Sequence, residues 1–366
     1  GQTWKTLRTV STHYLKDLGM GKKVFDDLIE HQAELLVNHI QKYCLDKPVL
    51  IEDLCFQVTV SVIWRIIAGQ DLPLDHERLE IIFKAVRNYL GDLGLVIVQS
   101  TMDSEFLSRL IEWIGFTQQK QNHLKLFNEI DKVIQDLTDV PGDESTITEA
   151  FLNQMKTDPS DPLLQNKLGM LNLRNVLLDL VIAATDTTSC TLQWCIFYLL
   201  KYPEWQKRIG EEIGLKNQPY TDAFILESIR KGNLGPTGFP RRTEGDILLD
   251  DEHLIPKDTL IIPMLGEIYN NPTNFPQPEL FDPERYLKNE NGSSQCMFVP
   301  NPKVIQFQLG KRRCPAEGMA KLQLKIVLQK LLNKYDMLPA STLREVPTAA
   351  IIKGPLPFKA LFKPKQ

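Results

Sequence analysis

From about Asn172 to Tyr202 the chain is largely apolar and free of proline, and the run stops at Lys201-Tyr202-Pro203, where proline forbids a helix to continue. That pattern predicts one long helix. It does not read as a bilayer span, because Asp179, Asp186 and several hydroxyl residues interrupt it. Its middle, Ala183-Ala184-Thr185-Asp186-Thr187-Thr188, is odd for a buried stretch. A buried carboxylate is costly unless it is paired. Two small residues let something flat lie against the backbone, a hydroxyl can hydrogen-bond a bound ligand, and an acid can relay protons to it. The competing reading is local: Ser and Thr often bond back to the carbonyl four residues earlier and bend the helix.

The rest of the first half is also mostly helical. Leu28, Ala33, Leu35, Leu36 and Ile40 fall close to helical spacing, and Phe56 to Ala68 reads as a buried helix. Segments 76–115 and 118–138 repeat the amphipathic pattern, with turn-rich loops over 139–146 and 157–162. Two helices follow Pro203, over Glu204 to Ile213 and Thr221 to Lys231. From Gly232 the texture changes. Pro and Gly become frequent, and Asp246 to Leu249 and Thr259 to Ile262 read as strands. A Pro- and Asn-rich meander covers 270–304, a last helix runs from about Pro315 to Asn333, and two short strands are expected near 348–363. The fold class is therefore mainly α with a minor β part, as one domain over 1–366.

Composition narrows the function classes. A net charge of −4 gives no pull toward nucleic acid. The six cysteines follow no disulfide-like or zinc-like rhythm. The six histidines have no partner at metal-ligand spacing. The chain opens inside a helix-like pattern at Gly1-Gln2-Thr3-Trp4 without Met, so its true N-terminus is expected upstream.

One cysteine stands apart. In Phe307-Gln308-Leu309-Gly310-Lys311-Arg312-Arg313-Cys314-Pro315-Ala316 the glycine permits a sharp turn beside a flat body. Three basic residues favour thiolate over thiol, and Pro315 suits the first turn of a helix whose positive end would point back at the sulfur. An unprotonated sulfur on a rigid loop is what an iron ligand requires. For a lone cysteine the plainer reading, an inert buried thiol, would win.

The pattern Phe-x-x-Gly-x-Arg-x-Cys resembles the haem-binding loop of the cytochromes P-450, and four further motifs in the family's order accompany it. These are Trp4-x-x-x-Arg8, Ala183-Ala184-Thr185-Asp186-Thr187-Thr188, Glu227-Ser228-Ile229-Arg230, and Phe281-Asp282-Pro283-Glu284-Arg285. The likeness runs from Trp4 to about Phe362. It implies the cytochrome P-450 fold, with a helical bulk around a haem b whose iron takes Cys314 as axial ligand. It implies Phe307 shielding the sulfur, Arg312, Trp4, Arg8 and Arg241 at the propionates, Asp186 for proton delivery and Thr187 for oxygen activation. Ala183, Ala184, Thr237 and Phe239 would line the substrate pocket, with Gly354-Pro355-Leu356 near it. Glu227, Arg230 and Arg285 would form a structural charge network. The chain departs from the family pattern with Ala184 and Ala316 where glycine is usual, and with only six residues between Ile213 and Tyr220.

The flavour of the motifs resembles the animal microsomal branch that hydroxylates drugs and steroids. The resemblance implies a monooxygenase that inserts one atom of O2 into a small apolar substrate. Electrons would come from an NADPH-dependent cytochrome P-450 reductase, docked in part on Lys311 and Arg313. Localisation would be the cytoplasmic face of the endoplasmic reticulum membrane, through an N-terminal anchor preceding Gly1. Two other readings stay open: a haem-thiolate isomerase or lyase acting on a peroxide, and a truncated non-catalytic haem protein.

Overall fold

The computed structural model describes residues 1–101, 124–138, 146–157, 161–289, 296–348 and 352–365. Eleven α-helical segments occur among them: α1 (Gln2–Asp17), α2 (Lys23–Tyr43), α3 (Ile51–Ala68), α4 (Glu77–Thr101), α5 (124–138), α6 (Ile147–Thr157), α7 (Asn166–Lys201), α8 (Glu204–Glu211), α9 (Pro219–Gly232), α10 (Leu265–Asn270) and α11 (Glu317–Lys334). The strands are short: β1 (Val49–Leu50), β2 (Arg241–Arg242), β3 (Ile247–Leu249), β4 (His253–Ile255), β5 (Leu260–Ile261), β6 (Leu287–Asn289), β7 (Cys296–Phe298), β8 (Tyr335–Pro339) and β9 (Lys359–Pro364). They pair antiparallel, as a three-stranded sheet in the order β1-β9-β8 and as the two-stranded ribbons β2-β5, β3-β4 and β6-β7. The architecture is mainly α with a minor β part.

The long helix is the axis of the core. α7 packs along α3 and against α9, α11, α6 and α4. By length and apolar composition it could cross a membrane, yet here its buried residues, among them Leu173, Leu177, Cys195, Phe197 and Leu199, face other helices. It begins six residues earlier than the sequence predicts. Gly169 hides that first turn from a propensity reading, but the glycine is required there. A Cβ at this position would lie 2.3 Å from the Leu164 carbonyl oxygen, and the Asn172 side chain donates to the Leu163 carbonyl at 2.7 Å. α3 is buried almost all round, which explains its continuous apolar run. α6 opens on a capping box: the Glu149 carboxylate accepts from the Thr146 N–H while Thr146 Oγ1 accepts from the Glu149 N–H, each at 3.0 Å.

Several boundaries differ from those read from pattern. Of the segments 76–115 and 118–138, helix is seen over 77–101 and 124–138; residues 102–123 lie outside the described residues, as do 139–145 and 158–160. The final helix starts at Glu317, so Pro315 sits before its cap residue Ala316 rather than in the first turn. The last two strands are β8 and β9, not a pair within 348–363; that stretch contributes an isolated bridge, Pro347 to Pro355, before β9. Tyr335–Pro339 directly follows α11, and the sequence pattern gives it no element. Only pairing with β9 makes it a strand.

The short connection between α8 and α9 is closed by one side chain. The buried Glu212 carboxylate accepts from the backbone N–H groups of Tyr220 and Thr221 and from the Thr221 hydroxyl, all at 2.8 Å. It thereby caps an α9 N-terminus that lacks a side-chain cap of its own at Gln218. The turn needs few residues because its free donors are satisfied from within.

Candidate active site

The cysteine loop is a backbone device before it is a chemical one. Gln308 (φ 64°) and Gly310 (φ 74°) both take left-handed conformations. They fold the chain so that the Cys314 N–H donates to the Phe307 carbonyl at 2.8 Å and the Arg313 N–H to the Gly310 carbonyl at 3.1 Å. Cys314 emerges half-buried at the foot of α11 and forms no disulfide. Burial pushes its thiol up; the Ala316 N–H, which donates to the sulfur, and the Arg8 charge pull it down. Burial is the largest cause and Glu317 adds to it, so the shift is upward, toward the neutral thiol and against the thiolate that the sequence reading expects. Lys311, Arg312 and Arg313 are exposed and do not carry the effect. The opposing downward pull comes from the Ala316 N–H and from an arginine of α1.

α1 lies against this loop. Arg8 Nη2 donates to the Arg313 carbonyl at 2.6 Å. The Arg312 guanidinium stacks 3.5 Å from the Trp4 ring centroid. Trp4, Arg8, Arg312 and Cys314 are thus brought together from opposite ends of the chain. Phe307 is half-buried against the main core, with Lys321 Nζ 5.3 Å from its ring. Arg241 begins β2 half-buried, its Nη1 donating to the Phe239 and Pro240 carbonyls at 3.0 and 3.1 Å. The neighbouring Arg242 is exposed, and Asp246 accepts from the Lys257 N–H at 2.7 Å.

In α7 the local reading of the hydroxyls holds: Thr185, Thr187 and Thr191 donate to the carbonyls of Val181, Ala183 and Thr187 at 2.5, 2.6 and 2.8 Å. Asp186 points the other way. It is buried, has no hydrogen-bond partner among the described residues, and its carboxyl is raised to about 6. Desolvation is the main cause, with Arg87 opposing and Glu52 adding to it. Ala183 is open to solvent, whereas Ala184 is half-buried against the core, so the two do not share a face. Leu171, Asn175, Asp179, Ala183, Thr187 and Thr191 recur at intervals of four and form the less buried stripe of an otherwise packed helix. The sequence reading missed Leu171, Asn175 and Thr191. The four-residue spacing was visible, but which face stays uncovered is a tertiary property.

Thr237 and Phe239 are exposed in the turn before β2, Phe239 by 53 %. Gly238 (φ 56°) makes that turn; a Cβ there would meet Pro263 Cγ at 2.9 Å. Gly354 and Pro355 are buried, and a Cβ on Gly354 would lie 3.1 Å from the Cys190 sulfur, so this segment packs directly on α7. Only Leu356 is half-open.

Glu227, Arg230 and Arg285 meet in one buried cluster. Glu227 Oε1 accepts from Arg230 Nη2 (2.7 Å), Arg285 Nε (3.2 Å) and the Asp282 N–H (2.9 Å); Oε2 accepts from Arg230 Nε and the Tyr286 hydroxyl, both at 2.8 Å. Arg230 also donates to the carbonyls of Tyr269, Pro278 and Leu280, tying α9 to the meander. Tyr286 and the Asp282 N–H were not foreseen, because nothing in their spacing marks them as partners.

The donor set fits one kind of cofactor. No group of three or more His, Cys, Asp and Glu able to hold a free metal ion occurs among the described residues. A single soft thiol beside basic and aromatic side chains suits an iron already held by a macrocycle, which needs one protein ligand. A family model of cytochrome P-450 matches residues 1–362.

The chain belongs to the cytochrome P-450 family. Among curated proteins this P-450 is similar to cytochrome P-450 2H1 of Gallus gallus, 27 % identical across the whole chain and 76 % of that protein. It is likewise similar to cytochrome P-450 2C3 of Oryctolagus cuniculus (28 %, 97 % of this chain and 73 % of that one). Cytochrome P-450 2M1 of Oncorhynchus mykiss is 30 % identical over 92 % of this chain and 68 % of its own length. It is a haem protein of the monooxygenase class, with cysteine thiolate ligation as the family's mode of holding iron.

Proposed function

We propose that this P-450 inserts one atom of O2 into a small apolar substrate (a xenobiotic, steroid or fatty acid), with Cys314 as axial ligand of haem b. The observation that carries the reading is the meeting of the half-buried Cys314 thiol with Trp4, Arg8 and Arg312, in a chain whose longest helix holds Asp186-Thr187. Haem bound through a thiolate supplies the oxygen and one-electron chemistry. Arg312, Trp4, Arg8 and Arg241 would hold its propionates, and Phe307 would keep water from the sulfur.

Asp186, raised to about 6, takes and releases a proton near neutral pH, as an acid–base group should. The Thr187 hydroxyl holds its proton on the Ala183 carbonyl and is free to turn into the open stripe of α7. Ala183 and Phe239, with Thr237 beside them, would contact substrate, and Ala184 would back that face. Glu227, Arg230 and Arg285 keep the meander rigid behind the loop. The exposed Lys311 and Arg313 would meet an NADPH-dependent reductase. Residues 1–366 would act as one domain at the cytoplasmic face of the endoplasmic reticulum membrane. The acid–alcohol pair favours oxygen activation over peroxide rearrangement.

The test is optical. Purified chain, reduced and treated with CO, is expected to show the thiolate-type Soret shift with stoichiometric haem, and Cys314→Ala to lose it. A wild-type sample without that shift overturns the reading.

A further inference from the structure

α7 ends in a stack of aromatic rings. Trp194 and Tyr198 lie nearly parallel, with 5.7 Å between ring centroids and 21° between planes. Phe281 of the meander stacks on Tyr198 at 4.1 Å and on Tyr202 at 5.2 Å. Tyr198 has no exposed surface and Trp194 is 3 % exposed, whereas Tyr202 is half-buried. The rings therefore form a continuous line from the buried part of α7 to its outer end. The inner member, Trp194, comes seven residues after Thr187, which places it about 10 Å further along the same face of the helix.

One ring in the line has a base for its proton. The Tyr198 hydroxyl donates to Glu345 Oε1 at 3.0 Å. Lys201 donates to Oε2 of the same carboxylate, and Lys231 Nζ lies 3.5 Å from Oε1. Burial raises the Glu345 carboxyl, but Lys201, Lys231 and the Tyr198 hydroxyl outweigh it and keep it ionised. Burial, with the Glu345 charge adding to it, pushes the Tyr198 phenol up, so the phenol stays neutral. Trp194 is placed differently. Its indole N–H donates to the Lys353 carbonyl at 2.9 Å, and an amide carbonyl is too weak a base to take that proton. A neutral phenol gives up an electron readily when its proton leaves at the same time. An oxidising charge arriving at Trp194 is thus drawn on to Tyr198.

We propose that Tyr198 is a redox-active residue that reduces a peroxide-derived one-electron oxidant formed beside α7 when no substrate is oxidised, and so protects the site from its own chemistry. The inference rests on the reading that O2 is activated beside Thr187. Tyr198 loses one electron to the oxidant by way of Trp194, and its phenolic proton moves to Glu345 along their hydrogen bond. A neutral phenoxyl radical and a protonated Glu345 result. A soluble reductant of the ascorbate class returns one electron across Tyr202 and Phe281, Glu345 returns the proton, and both residues are as they began. The net change is one electron moved from the soluble reductant to the surplus oxidant.

The haem-loaded full chain is mixed with peracetic acid, which supplies the oxidant without a reductase, and freeze-quenched for electron paramagnetic resonance. A tyrosyl signal is expected, narrowed when the protein carries ring-deuterated tyrosine. Tyr198→Phe keeps the ring stack and is expected to lose most of that signal and to bleach its haem several-fold faster. Glu345→Gln keeps the shape of the side chain without the base and is expected to lower the radical yield several-fold. Should Tyr198→Phe fail to fold, Glu345→Gln carries the test. A second arm oxidises the chain with photogenerated tris(bipyridine)ruthenium(III), which needs no haem. The same dependence on Tyr198 there upholds the radical site even where the thiolate-type Soret shift is absent, so failure of the oxygen-activation reading is told apart from failure of this one. An equal signal in wild type and Tyr198→Phe overturns the proposal, as does a wild-type tyrosyl signal with haem bleaching unchanged in Tyr198→Phe.

Discussion

Two buried carboxylates in this P-450 are treated in opposite ways. Glu227 has no exposed surface, and its two oxygens accept five hydrogen bonds, from Arg230 (two), Arg285, Tyr286 and the Asp282 N–H. Asp186 is 8 % exposed and has no hydrogen-bond partner among the described residues. A charge that is fully bonded holds two chain segments in place and has nothing left to give. A charge left short of partners is unstable as a charge, and that instability lets it exchange a proton. The contrast separates scaffold from chemistry more cleanly than burial does.

Removing the partner of a buried ion network strands the remaining charges, so Glu227→Ala is expected to cost about 3–5 kcal/mol. Denaturant unfolding would measure it, and a loss below 1 kcal/mol would mean the network is not the clamp its geometry describes. Asp186→Asn should behave in reverse. Product formation per haem is expected to fall by about 10²–10⁴-fold, while unfolding stability at pH 7 holds or rises. A mutant that loses stability as well would break the contrast.

The smallest effect is in pH. The Asp186 carboxyl is raised to about 6 from 3.8, so between those values the folded chain binds the proton and the unfolded chain does not. The stabilisation is complete below about pH 4 and is lost as pH rises through about 6. It amounts to about 3 kcal/mol at most. Unfolding curves across that window should show the decline in wild type and a flatter profile in Asp186→Asn. An unchanged slope would assign the effect to other groups.

Much of this was legible in one dimension. α7 and its end at Pro203, the charged α8, the turn to short strands after Gly232, and the order of the motifs all follow from local rules: proline cannot continue a helix, and apolar periodicity marks a buried face. Glu227 and Arg230 were legible because a separation of three puts them on one helix face. Tyr286 was not, because only the folding of the meander brings it to Glu227. β8 was missed because strand formation depends on a distant partner, and β9 follows its start by 24 residues. The first turn of α7 was missed because Gly169 opposes a helix locally and is required by close packing on Leu164.

The cysteine shows the same division. Sequence alone determined that Cys314 follows a glycine turn and precedes a helix, since both are set by residues within a few positions. It could not determine which charge acts on the sulfur. The three adjacent basic residues are exposed, Arg312 stacked on Trp4, and screening weakens their charges, while Arg8, more than three hundred positions earlier, donates to the Arg313 carbonyl beside the cysteine. Asp186 is alike: its place in α7 is local, but its raised carboxyl comes first from burial by the surrounding fold, with Arg87 opposing and Glu52 adding to it. Backbone turns and helix faces are short-range properties, whereas the electrostatic state of a buried group is the sum over whatever the fold packs around it.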